Sequence, residues 1–103
     1  MQRKSFVMRL KPGGKEEYMR RHSAIWPEMA DMLREAGVTN YSIWWYRDLL
    51  FGYWESEDVA ATENRKRASS VAARWSAFMA DLISYEEIDG QRAADPELVF
   101  FQL

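Results

Sequence analysis

Apolar and polar side chains alternate along two stretches of the chain, a pattern typical of half-buried β-strands. Residues 5–10 place Phe6, Met8 and Leu10 on one face, and residues 39–45 alternate in the same way. Residues 49–55 predict a further strand, separated from the second by a short turn at Arg47 and Asp48, so this pair predicts an antiparallel hairpin. Residues 98–103 predict a final strand.

Helical spacing appears between residues 15 and 36. Pro27 lacks a backbone N–H, so it predicts a kink or break just after His22, and Gly37 is placed to cap the C-terminus. The positions that form the apolar face of this first helix are Tyr18, His22, Ile25, Met29, Met32 and Leu33.

A second helical region covers residues 58–83 and is clearest from Ser69 onward. Residues 57–68 are polar and predict a loop with a short helix, in which the run 65–67, Arg-Lys-Arg, is interpreted as a solvated face. Residues 85–96 predict a loop. The apolar stripe of the second helix consists of Val71, Trp75, Phe78, Met79 and Leu82.

The order strand, helix, strand, strand, helix, strand predicts the fold class. It is typical of an α+β, ferredoxin-like βαββαβ arrangement, a four-stranded antiparallel sheet with both helices on one face. A chain of 103 residues fits a single domain, residues 1–103. Because the other sheet face would expose Trp and Tyr side chains, we expect a second copy to cover it, giving a homodimer, unless a ligand pocket forms there.

Composition restricts the class of protein. Fourteen basic residues against 16 acidic ones make nucleic acid an unexpected partner. The chain has no cysteine and one histidine, so we expect neither a thiolate site nor a metal centre of the usual zinc or iron kind. The first ten residues are broken by charge and predict neither a signal peptide nor a membrane span, so we expect a cytoplasmic, metal-free protein.

The one histidine is the main candidate for chemistry. Tyr18 and His22 are four residues apart, so on a helix they project from one face and could hold a small polar ligand together. The predicted break at Pro27 would leave His22 near a helix end, and an imidazole can donate and accept protons near neutral pH. Taken alone, a surface histidine without a role is the simpler interpretation.

Several motifs occur in one order along the chain: residues 6–8 (Phe-Val-Met), 17–18 (Glu-Tyr), 21–22 (Arg-His), 25–28 (Ile-Trp-Pro-Glu), 40–43 (Asn-Tyr-Ser-Ile), 49–51 (Leu-Leu-Phe) and 74–75 (Arg-Trp). In these motifs the chain resembles the L-rhamnose mutarotase family. The resemblance extends nearly end to end and is strongest over residues 3–55. Residues 56–97 match weakly.

The resemblance implies a dimeric α+β barrel that interconverts the α and β anomers of a free pyranose at C1 without a cofactor. It implies that His22 acts as the acid/base group and that Tyr18, Tyr41 and Trp75 contact the sugar. Ser76 joins these candidates because it stands where family members commonly carry a second tryptophan. On the residues alone, a core or interface role for Tyr41 is nearly as good an interpretation as sugar binding. For Trp75, which stands in an apolar helical stripe, core packing is the better one, and only the resemblance places it in the pocket.

Three departures from the family pattern bear on the substrate. These are the Trp75-Ser76 pair, the sequence of residues 85–91 and a shorter hairpin turn, which together predict a partly rebuilt sugar pocket. The expected substrate is therefore L-rhamnose or a related sugar. Two other functions stay open. One is another cofactor-free enzyme on the same barrel, such as a monooxygenase or isomerase with a hydrophobic pocket. The other is a non-catalytic sugar-binding dimer.

Overall fold

The computed structural model describes residues 1–84 and 93–103. Within these residues, the strands β1 (Gln2–Arg9), β2 (Thr39–Tyr46) and β3 (Leu49–Ser56) form one antiparallel sheet in the order β1-β3-β2. The helices are α1 (Lys15–Ser23), α2 (Pro27–Ala36), α3 (Val59–Arg67) and α4 (Ser70–Met79), and α4 continues into a 3₁₀ turn, Ala80–Leu82. The α+β class is therefore confirmed.

The predicted break in the first helix occurs at Pro27. Helix α1 ends at Ser23, four residues earlier, because the proline ring opposes the carbonyl of that residue and Pro27 has no N–H to donate. Pro27 instead begins α2. At this position the N–H of any residue would have no partner within the helix, so the missing N–H of proline costs nothing. Gly37 ends α2 in the left-handed conformation, with φ 102°. His22 consequently lies in the last turn of α1.

The hairpin between β2 and β3 turns in two residues. Arg47 and Asp48 both have positive φ, 48° and 63°, as a type I′ turn requires, and Tyr46 pairs with Leu49 across the turn. This turn fixes the register. Odd-numbered residues of β2 and even-numbered residues of β3 therefore face the helices.

The predicted fourth strand, residues 98–103, is wrong. One isolated bridge takes its place: Val7 and Ala94 exchange two backbone hydrogen bonds of 2.9 Å at the free edge of β1. Two residues further on, Pro96 has no N–H to donate to β1, so the ladder stops there, and residues 95–103 adopt neither helix nor strand. The bridge still lies at the sheet edge where a ferredoxin-like fold has its fourth strand.

The second helical region also differs from the prediction. Residues 57–68 contain the full helix α3 rather than a loop with a short helix. The Asp58 side chain accepts a hydrogen bond of 3.1 Å from the Ala61 N–H, and Ser69 Oγ accepts one of 3.1 Å from Ala72 at the start of α4. Each helix therefore has its own N-cap. Of the predicted loop, residues 85–96, the part from residue 85 to residue 92 lies outside the described residues.

The core lies between one face of the sheet and the helices. Met8 and Leu50 from the sheet pack with Met29, Trp75 and Met79 from the helices, and all five are buried. Even-numbered residues of β1 share this face, among them Phe6, whose ring covers Gly52. A Cβ atom at position 52 would lie 2.1 Å from the Phe6 ring, so a glycine is required for this contact. No helix among the described residues has the length and apolar character needed to cross a membrane.

Candidate active site

A cavity of about 1200 Å³ opens between the helix-facing side of the sheet and the helices α1 to α4. All five residues predicted to bind substrate or to catalyse the reaction border it: Tyr18, His22, Tyr41, Trp75 and Ser76. They come from α1, β2 and α4. The fold therefore brings together residues that are up to 58 positions apart in the sequence.

Tyr18 and His22 stack against each other on α1. Their ring centroids are 4.3 Å apart and the ring planes differ by 27°. Tyr18 is buried, with 7% of its surface exposed, whereas His22 is half-buried. The i,i+4 spacing therefore gives the arrangement that the sequence predicted, and the tyrosine ring holds the imidazole in one orientation.

A backbone contact sets the tautomer of His22. The Nδ1 atom lies 3.2 Å from the carbonyl oxygen of Tyr18. Because a carbonyl oxygen can only accept, Nδ1 carries the proton in this hydrogen bond, and the neutral imidazole keeps its lone pair on Nε2. Nε2 is then the atom of His22 that can remove a proton.

Trp75, on α4, packs against the Tyr18–His22 pair of α1 through His22. Its ring meets His22 edge to face, with centroids 5.4 Å apart and planes at 84°. It also contacts Trp26 at 5.1 Å and Phe78 at 5.7 Å. Trp75 is thus a core residue, as its place in the apolar stripe predicted, and it also borders the cavity, so its contact with a sugar stays a prediction. Trp26, directly before Pro27, packs on this tryptophan.

Tyr41 and Ser76 border the cavity from β2 and α4. The ring of Tyr41 stands edge to face on Phe6, with centroids 6.3 Å apart, and is 38% exposed. The cavity wall therefore combines polar and charged side chains with aromatic and aliphatic ones.

Arg21, next to His22, ties α1 to the end of α4. Its guanidinium donates to Glu17 at 2.7 Å, to Asp81 at 2.8 and 3.2 Å, and to the carbonyl oxygen of Phe78 at 2.8 Å. Only 12% of the Arg21 side chain is exposed. Because α1 carries His22 and α4 carries Trp75, this network fixes the separation of the two rings. The sequence pattern did not indicate this role for Arg21.

The network shifts the pKa values of its acids. Hydrogen bonds from Arg20 and then from Arg21 lower the pKa of Glu17 from 4.5 to about 2. The Arg21 guanidinium likewise holds the pKa of Asp81 below its ordinary value. Both carboxylates are therefore favoured in their charged form by the folded state.

We expect Glu17 to make the stability of the fold dependent on pH in the acid range. A carboxyl group whose pKa is lower in the folded protein stabilises the fold above its unfolded value of 4.5, and this stabilisation is lost as the pH falls towards 2. Urea midpoints of the wild type and of Glu17→Gln should differ at pH 7 and converge between pH 4.5 and 2. A gap that stays constant over this range would contradict the expectation.

Two lysines on the cavity wall were also missed by the sequence analysis. The Lys15 ammonium lies 4.3 Å from the centroid of the Trp45 ring, and Lys4 pairs with Asp95 at 3.1 Å. A signal for Lys4 was available, because it has the same parity as Phe6 and Met8 and therefore faces the helices. Across residues 1–84 and 93–103, no three His, Asp or Glu side chains gather as they would to hold a metal ion.

Comparisons with known proteins point in the same direction as this geometry. A family model described as L-rhamnose mutarotase matches residues 3–101. The L-rhamnose mutarotase of Sinorhizobium fredii is 39% identical over 106 residues, which cover 100% of this chain and 99% of that protein. A crystal structure of an L-rhamnose mutarotase from Formosa agariphila has a TM-score of 0.83 at 27% identity and covers 100% of both chains.

A more distant structure shares only the fold. Tetracenomycin F2 cyclase from Streptomyces glaucescens has a TM-score of 0.68 at 15% identity, with 100% of both chains covered. Similarity at this level shows that the same architecture occurs in proteins with another chemistry. The function therefore has to be argued from the cavity and its residues.

Proposed function

The chain belongs to the L-rhamnose mutarotase family, and we propose how its cavity interconverts the α and β anomers of L-rhamnose. The protein is an isomerase, a 1-epimerase acting on a free sugar. The main support for the catalytic and binding roles assigned below is the stacked Tyr18–His22 pair, which contacts Trp75 on the cavity wall. We assign the whole chain, residues 1–103, to one mutarotase-like domain.

We assign the acid/base role to His22. Ring opening needs the proton of the anomeric hydroxyl to be removed, the bond between C1 and the ring oxygen to break, and the ring oxygen to gain a proton. Both oxygens are bonded to C1, so a nitrogen within hydrogen-bond distance of one lies close to the other. Nε2 of His22 can therefore take the proton from the first and deliver it to the second.

The product of this step is the open-chain hydroxyaldehyde. Rotation about the C1–C2 bond turns the other face of the aldehyde towards the returning hydroxyl, and the reverse proton transfers close the ring. The steps are proton transfers, a rotation, and the breaking and re-forming of one C–O bond, with no net oxidation or reduction, so the reaction consumes no cofactor. The Nδ1–H bond to the Tyr18 carbonyl keeps Nε2 as the reacting atom throughout.

The other four residues are assigned to substrate binding. The rings of Tyr18 and Trp75 offer apolar faces to the C–H groups of a pyranose, and the hydroxyls of Tyr41 and Ser76 offer hydrogen bonds to its hydroxyl groups. Ser76 occupies less volume than a tryptophan and leaves more space in the cavity. Polar groups near the histidine also favour a sugar over the hydrophobic substrate that the alternative enzyme class would need.

NMR exchange between the α and β anomers tests the function. We expect the protein to accelerate exchange of L-rhamnose in a panel that also contains other free sugars. Saturable binding of L-rhamnose without faster exchange would instead support the sugar-binding dimer. No acceleration and no binding for any sugar would contradict the proposed function.

We also propose that the protein is a homodimer in which two sheets pack face to face. On the sheet face that points away from the helices, Trp44, Tyr46 and Phe51 are 68%, 60% and 41% exposed. Aromatic side chains clustered on one face form the kind of apolar patch that marks an interface. A second copy fits because it presents the same aromatic surface in return.

Sedimentation velocity checks the dimer. We expect the wild type to sediment as a dimer and Trp44→Lys/Tyr46→Lys as a monomer with unchanged circular dichroism, because the charges cannot be buried between two sheets. Glu35→Lys on the exposed face of α2 is the control and should remain dimeric. A monomeric wild type at micromolar concentration would exclude the interface.

The cytoplasmic location stays a proposal from composition, which fractionation of cells expressing a tagged chain can test.

A further inference from the structure

The cavity has a second end, which we call the cationic end and define by Lys4, Trp54 and Lys66. The Lys66 ammonium lies 4.8 Å from the centroid of the Trp54 ring, and that ring is 1% exposed. Both residues border the cavity that contains His22. The interpretation of residues 65–67 as a solvated face is therefore wrong for Lys66, whose side chain is half-buried against the sheet.

Among residues 1–84 and 93–103, the charge of Lys66 lacks a close partner. Lys4 pairs with Glu63 at 3.7 Å and with Asp95 at 3.1 Å, whereas Lys66 forms no ion pair within 4.0 Å with any residue that the structure describes. Burial lowers the pKa of Lys66, and the more distant Glu63 only partly opposes this shift. A half-buried cation in this situation is stabilised by an anion that enters the cavity.

The cationic end adjoins the Tyr41 side of the sugar site. Because Ser42 pairs with Tyr53, Tyr41 on β2 lies beside Trp54, and both residues border the cavity. Leu50, which packs in the same buried cluster as Tyr18 and Trp75, is four residues from Trp54 along β3, roughly 13 Å at about 3.3 Å per residue. The cavity volume, about 1200 Å³, also exceeds the roughly 300–1,000 Å³ that usually encloses a drug-sized ligand. A monosaccharide leaves much of this space empty.

We propose that the cationic end is a second subsite that binds an anionic group on a second sugar unit. The further substrate is then an acidic disaccharide whose free reducing end is opened and closed at His22. Mutarotation requires only that the anomeric hydroxyl is free. A unit attached at O4, across the ring from C1, extends away from the reacting centre and towards Lys66. This inference rests on the proposed function.

The test compares three reducing sugars by NMR anomer exchange. They are L-rhamnose, 4-O-β-D-glucosyl-L-rhamnose and 4-O-β-D-glucuronosyl-L-rhamnose, of which the last two differ only in the carboxylate. We expect wild-type protein to accelerate all three, with a KM for the acidic disaccharide about tenfold below that for the neutral one, as a charge-assisted contact to an amino group allows. In Lys66→Met this KM ratio should fall to about one, and in Lys66→Arg it should recover.

Lys66→Met keeps an unbranched apolar stem on Trp54, and thermal melting checks that it folds. Arg34→Met removes one positive charge from the exposed face of α2, where Arg34 pairs with Asp31, and should leave the KM ratio unchanged. A ratio that survives Lys66→Met, or acceleration of L-rhamnose but of neither disaccharide, would overturn the second subsite and leave the proposed function intact. Failure with all three sugars would count against the proposed function itself.

Discussion

His22→Ala is expected to slow the exchange of L-rhamnose anomers by about 10²- to 10⁴-fold, the usual contribution of a positioned general acid/base. The reason is that Nε2 is the atom assigned to both proton transfers, and alanine offers no group that can replace it. NMR exchange measurements at a fixed protein concentration give the rate directly. The exchange rate with the variant is compared with the uncatalysed rate of the free sugar, which is its lower limit.

The fold should tolerate this change. His22 is half-buried in the last turn of α1, and Arg21 and Glu17 hold that turn in place through bonds that do not involve the imidazole. Alanine also has a high helix propensity. We therefore expect circular dichroism and the proposed dimer to be unchanged.

Tyr18→Phe is the matched control for His22→Ala. It keeps the ring that stacks on His22 and the backbone carbonyl that accepts from Nδ1, and it removes only the phenol hydroxyl. Its loss of activity should be much smaller than that of His22→Ala. If the two variants lose activity equally, the proton transfers require the Tyr18 hydroxyl as well. If His22→Ala unfolds, His22 has a structural role.

The sequence predicted the parts of the fold that local chemistry determines. Pro27 ends one helix and begins another for reasons that act within one helical turn, and the Arg47-Asp48 turn follows from two residues between strands. The Tyr18–His22 stack follows from helical spacing alone. These features need no knowledge of the distant parts of the chain.

The errors concern effects that act across the chain. Residues 98–103 have the composition of a strand, but Pro96 removes the N–H that would continue the ladder from the Val7–Ala94 bridge. Lys66 belongs to a charged run that looks solvated in sequence, yet α3 packs it onto Trp54. Only the packing of a helix on a sheet decides which lysine of a polar run becomes buried.

Trp75→Ala is expected to have the largest effect on stability, about 3–5 kcal/mol, because a large buried side chain is replaced by a cavity. Trp75 is 7% exposed and contacts His22, Trp26 and Phe78, so its removal also takes away the support of the imidazole. Since domains of this size have about 5–15 kcal/mol in total, a substantial part of the stability would be lost. Urea unfolding at pH 7 measures the change.

Trp75→Phe separates the packing role from the substrate-binding role. Phenylalanine keeps an aromatic ring against Trp26 and His22, so most of the stability should remain, but it offers a smaller face to the sugar. We expect KM for L-rhamnose to rise while the melting temperature falls only slightly. A Trp75→Phe protein that loses stability but keeps the wild-type KM would show that Trp75 acts only through packing, and the sugar contact would then have to come from Tyr18 and Tyr41 without it.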